Sequence, residues 1–182
     1  MSTRLLVPLA LTLLGTMLPR SQGADPDFQA KGITRHGLLA FDAPVAVVFP
    51  LFTPQGERHW AEGWDPQILF PRDRDIAEGM VFQTRDHGNQ LLTWTVTRYD
   101  EPNHTVAYNV VAPDLLVRRI EVRCRPAGPA RTEVTVADSY VALSEHGNAF
   151  IDHLTEPEYA KKMATWKERI GVYLAGRAKA SH

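Results

Sequence analysis

The chain of 182 residues has one cysteine, Cys124, so no intramolecular disulfide can form and packing alone must hold the fold. Its histidines include no His-x-x-x-His pair, which argues against the common helical zinc site. There is no Gly-x-Ser-x-Gly elbow, no phosphate-cradling loop and no dinucleotide fingerprint, and nothing in the sequence calls for a cofactor. Charge of one sign is also lacking: 20 Lys and Arg face 21 Asp and Glu, a formal net charge of −1. Without a basic run or patch, nucleic acid is not an expected partner. Long hydrophobic runs are missing too. The longest, Leu5 to Leu18, contains Pro8 and falls short of a membrane span.

That run is informative for another reason. Arg4 precedes it, and Ser21, Gln22, Gly23 and Ala24 supply small residues where a signal peptidase cuts, so residues 1–23 read as a secretory signal peptide. A retained anchor is the alternative. Cleavage removes Arg4 and Arg20, taking the formal charge from −1 to −3, and leaves residues 24–182 as one domain with no stable membrane span. The expected location is periplasmic or secreted. In the run Ile120, Val122, Cys124 the lone thiol reads as a small buried hydrophobe, not a nucleophile.

The remainder patterns as strands closed by one helix. From Glu156 to Ala180, Tyr159, Met163, Trp166, Ile170 and Tyr173 recur at three and four residues, one stripe of a long helix widened by Val172 and Leu174. Lys161, Lys162, Lys167, Glu168 and Arg169 are expected on its other side. Ile33 to Phe41 reads as a first strand with Gly37 as a bend. Val45 to Phe52 reads as a short helix capped by Asp42 or Ala43 and ended or kinked by Pro50. Residues 55–66, dense in Trp, Gly and charge, have neither period and should form a short helix, a loop and a brief strand at Ile68 to Phe70. Residues 71–79 read as a charged, mobile loop.

Alternation then becomes regular: Met80, Phe82, Thr84; Leu92, Trp94, Val96, Arg98; His104, Val106, Tyr108, Val110; Arg118, Ile120, Val122, Cys124; Val134, Val136, Asp138, Tyr140. The turns between these runs are short, so successive strands are antiparallel neighbours. Ser144 to Leu154 should leave the sheet as a short helix.

The same alternation puts Arg98, His104, Tyr108, Arg118, Asp138 and Tyr140 on the face towards the final helix. Counting back from the turn at Gly128, positions summing to 256 or 258 lie opposite one another, bringing Arg118 to Asp138 or Tyr140. A charge pair on an inner face is either a structural ion pair or a polar anchor for a mostly apolar ligand. Trp60 and Trp64 either close the core or stack on a ligand at a pocket mouth. An acid–base set drawn from Glu57, Asp65, His59, Asp138 and Tyr108 is available, although a chain of this size contains such sets by chance. A sheet and helix packed solid, with no ligand, explains the periodicity equally well.

The order strand, short helix, meander, long C-terminal helix resembles the helix-grip fold of the START-like, or SRPBCC, superfamily. The runs Leu51 to Pro66, Gly79 to Thr84, Thr93 to Asp100 and Ala142 to Phe150 are similar to those of small bacterial members of it, and the resemblance covers roughly residues 33–175. It implies an α+β fold: a curved antiparallel sheet of about six to seven strands around the C-terminal helix, with one or two short helices after the first strand. It further implies a cavity for a lipid, polyketide or other ring compound, and no universal catalytic residues. The candidate ligand-binding residues are then Trp60, Trp64, Phe82, Trp94, Tyr108, Arg118, Asp138, Tyr140, Met163 and Trp166. A binder of a small hydrophobic molecule is the leading expectation. A cyclase/dehydrase- or hydrolase-type enzyme, or an interaction protein with a vestigial cavity, are the alternatives. The ligand and the oligomeric state are not legible in the sequence.

Overall fold

The computed structural model describes residues 27–72, 75–86 and 88–180, so the signal-peptide reading lies outside the described residues. Seven strands form one antiparallel sheet: β1 (Gly32–Phe41), β2 (Gln67–Phe70), β3 (Val81–Arg85), β4 (Leu91–Asp100), β5 (Thr105–Ala112), β6 (Leu116–Gly128) and β7 (Arg131–Ala142). Their order is β1-β7-β6-β5-β4-β3-β2. The chain thus lays down β1, crosses to the far edge at β2 and returns as a meander whose last strand pairs with the first. Two helices follow, α3 (Glu145–His153), capped by the Ser144 side chain, and α4 (Glu156–Ala180). This is the α+β helix-grip arrangement, a curved sheet closed by its C-terminal helix.

Strand alternation places the core. On β6, Ile120, Val122 and Cys124 are buried, as are Val134 and Val136 beside them on β7. Burial pushes the Cys124 thiol up to about 12, so it stays protonated and behaves as a hydrophobe. The helix meets β1 at Gly37, where a Cβ would collide with the Met163 side chain, so the close approach of the helix favours glycine there.

Between β1 and β2 the chain makes two short helices, α1 (Val45–Val48) and α2 (Pro54–Glu57), joined by a 3-10 turn over Phe49–Phe52. The α-helix ends at Val48, next to Pro50 as expected, and the chain tightens into that turn with the proline in its first positions. The N-cap of α1 is Pro44, with no side-chain cap from Asp42 or Ala43, whereas the Thr53 hydroxyl caps α2 by accepting from the Gly56 N–H at 3.0 Å.

Three expectations need correcting. Arg98 faces outwards, on Asp100 at 2.7 Å. The cause is a bulge between Val96 and Arg98 that inserts Thr97 and turns Tyr99 inwards onto Phe49 instead. Val172 is exposed, so only Leu174 widens the helix stripe. Lys162 does not join the outer face but turns under the helix to Asp138. His104 precedes β5 in a left-handed conformation, φ 48°, with its ring edge-on to Phe49.

Candidate functional site

Contact with β1 through Tyr159 and Met163 seats one flank of α4, while its other flank, bearing Lys162, Thr165, Trp166 and Arg169, stands over β4, β5 and β6. The space between is a cavity of about 490 Å³. The strands contribute Trp94, Tyr108, Arg118, Ile120 and Val122, and the segment after Thr53 contributes Glu57, Trp60, Ala61, Glu62 and Trp64.

The aromatic walls are fixed by their polar tips. The indole N–H of Trp60 donates to the Leu51 carbonyl (2.7 Å), that of Trp64 to the Pro54 carbonyl (2.8 Å) and that of Trp94 to the Thr84 hydroxyl (2.9 Å). The Tyr108 hydroxyl donates to the Phe52 carbonyl at 2.7 Å. Each ring spends its donor on the scaffold and offers the cavity apolar surface. Trp60 meets Trp166 edge-on at 5.4 Å and Trp64 meets Trp94 at 5.2 Å. At the mouth Arg169 bridges to Glu62 at 2.7 Å, and His59 stacks on Tyr173.

The inner end is charged. Asp138, fully buried on β7, accepts Arg118 Nε and Nη2 at 2.6 Å each, the Tyr140 hydroxyl at 2.8 Å and Lys162 Nζ at 2.8 Å. The pairing follows the predicted count, with Arg118 opposite Tyr140 and Ile120 opposite Asp138. Burial alone would raise the Asp138 pKa; the charges and hydrogen bonds of Arg118 and Lys162 reverse that and hold it down to about 2. For Lys162, burial and then the like charge of Arg118 outweigh Asp138 and bring the ammonium down to about 8.

Glu57 lies across the same cavity. Among the described residues no side chain comes within hydrogen-bonding or ion-pairing distance of its carboxyl. Burial raises its pKa to about 8 against the opposing charges of Arg118 and Lys162.

Of the ten sequence-derived candidates, Trp60, Trp64, Trp94, Tyr108, Arg118 and Trp166 line this cavity. Phe82 stacks behind Trp94, centroids 5.5 Å apart, and Asp138 and Tyr140 stand behind Arg118 and Lys162 as their acceptors. Met163 is on the β1 side of α4, in a separate shallow groove. The sequence reading did not place Lys162, Thr165 or Arg169 at the cavity. Asp65 pairs with Arg58 on the surface.

This layered aromatic cavity under a C-terminal helix has a family counterpart. A family described as polyketide cyclase / dehydrase and lipid transport matches residues 40–171, most of the chain. The chain belongs to that family. Solved structures of the same fold include norcoclaurine synthase from Thalictrum flavum in complex with dopamine and hydroxybenzaldehyde (TM-score 0.56, 11% identity, covering 78% of this chain and 87% of that one). An uncharacterized protein from Rhizobium leguminosarum aligns with TM-score 0.57 at 15% identity over 81% of this chain and 97% of that one. CalU16 from Micromonospora echinospora gives 0.51 at 21% identity, over 85% and 80%. The family match supports a START-like superfamily member, and the structural likenesses speak to the fold alone. No curated protein matches it in sequence.

Proposed function

We propose that this family member binds a small, largely apolar or aromatic molecule in the cavity between the sheet and α4, and does so outside the cytoplasm. The observation that carries the binding reading is the cavity of about 490 Å³ walled by four tryptophans and Tyr108 with charge gathered at one end. That volume lies within the range of small-molecule sites, as does the pattern of apolar walls with a few convergent polar groups. The family's lipid-transport and cyclase members, and the ligands held by norcoclaurine synthase, support a ring-bearing or lipid-like ligand. Export rests on Arg4, the run Leu5 to Leu18 and the small residues near Gly23.

Native mass spectrometry of the purified protein, followed by extraction of what it carries, tests the binding. An apolar molecule released unchanged supports it; a protein that is always empty and takes up no Nile red overturns it. N-terminal sequencing tests export, and a cytosolic chain beginning at Met1 refutes it.

One observation favours a second reading as an enzyme. Glu57 and Lys162, groups of opposite type, are both brought to about 8 in the same cavity, which suits proton transfer near neutral pH. A chemically altered molecule recovered after incubation would select this reading over simple binding.

A further inference from the structure

Two cationic side chains line one end of the cavity and share a single close carboxylate. Asp138 receives four hydrogen bonds, from two nitrogens of Arg118, from Lys162 and from Tyr140, and its one negative charge answers two cations. The mouth pair Arg169 and Glu62 cancels itself. Both cations keep an N–H beyond those given to Asp138 and Tyr140. The remaining carboxyl, Glu57, makes no ion pair with either cation although all three line one cavity. Half-buried cations with unspent donors favour an anionic acceptor in the space they line.

We propose that the inner end of the cavity is an organic-anion subsite: the ligand carries a carboxylate, or a comparably acidic group, that meets Lys162 and Arg118 on the side facing Glu57, while its ring body lies among Trp60, Trp94 and Trp166. This rests on the binding reading above and adds the chemical class. A cationic amine would find the aromatic faces favourable, but it would be driven against Lys162 and Arg118. A neutral ligand would leave those donors without an anionic acceptor.

Both titrating groups give the same sign with pH. Glu57 is set among Arg118 on β6, Lys162 on α4 and the Tyr108 hydroxyl on β5, with Asp138 behind the cations and Glu62 and Arg169 at the mouth. As pH rises through about 8, Glu57 loses its proton and Lys162 loses its charge. Anion affinity therefore falls.

The test compares 2-naphthoic acid, its methyl ester and 2-naphthylmethylamine on the full chain by calorimetry between pH 6 and 9.5. The acid is expected to bind about tenfold tighter than the ester at pH 6.5, as for a hydrogen bond to a charged group. That advantage should shrink above pH 8, and the amine should bind most weakly. Lys162→Met should erase the acid's advantage while the ester still binds, which shows that the variant is folded. Glu57→Gln, which keeps a donor, should retain the advantage and make its pH dependence shallower, leaving the part due to Lys162. Equal binding of acid and ester, tightest binding of the amine, or acid affinity that rises with pH each overturns the anion subsite and leaves the binding reading standing. Failure of all three probes to bind overturns both.

Discussion

Glu57 holds a carboxyl where water is scarce, and the consequence for stability has a definite sign. Its folded pKa of about 8 lies above the ordinary 4.5, so between those values the folded chain keeps a proton that the unfolded chain releases. Stability from this group is complete below about 4.5 and is lost as pH rises through 8. Stability against thermal unfolding should therefore fall from pH 5 to pH 8, and Glu57→Gln should remove that part of the slope and melt higher than the parent at pH 8. Parallel melting curves for the two across this range would contradict the desolvated carboxyl. Glu57 was visible in the sequence only as one of several acids. Lys162 was more legible than its charge suggested: it is three residues after Tyr159 and four before Trp166, the spacing of the buried stripe. A lysine at that spacing is usually assigned outwards because its long stem reaches solvent. What reverses the assignment is Asp138, a buried carboxylate on the facing strand that can accept from Lys162 as well as from Arg118 and that the strand alternation had already put inside.

Among the elements, the segment from α1 to Trp64 governs the site, and it is the one that periodicity reads least well. Its helices are too short to show a 3.6-residue period, and its geometry is set by close contact. Gly56 is buried in α2 with no room for a side chain: a Cβ there would run into the backbone of Pro50 and Leu51. Backbone cannot swing aside as a flexible side chain can. Gly56→Ala should cost ~1–3 kcal/mol from overpacking and, because the next residue is Glu57, should also weaken ligand uptake. Unchanged denaturant midpoints would show that α2 is free to move away from the 3-10 turn. The bulge at Thr97 was equally illegible, since an alternating run looks the same until a residue is inserted, and beyond that point every face assignment inverts. It exchanged Arg98 for Tyr99 on the inner side. The meander itself was readable because its turns are short and its strands alternate cleanly, and the count back from Gly128 narrowed the β6–β7 register to two sums, of which the chain adopts 258.

For the molecule as a whole, alternation tells which face is covered but not whether the cover is solid. A strand lining a cavity and one buried in a packed core share a pattern, so the hollow under α4 was legible only through the resemblance. Trp166 separates the two cases. Its ring meets Trp60 at 5.4 Å and Phe52 at 6.4 Å, yet it remains half-exposed because its remaining surface opens on the cavity. A fully buried tryptophan replaced by alanine loses ~3–5 kcal/mol, since transfer and cavity costs add. Here the cavity already exists and the indole has fewer neighbours to leave, so Trp166→Ala should fall below that range in chemical denaturation. The enlarged cavity should at the same time shift binding of Nile red or of naphthoic acid, in affinity or in the largest ligand accepted. Tyr159, Met163 and Ile170 continue to hold α4 on the sheet, so the variant is expected to fold. A loss in the full range with no change in binding would mean that the indole is core, and that the space beside it is not where a ligand sits.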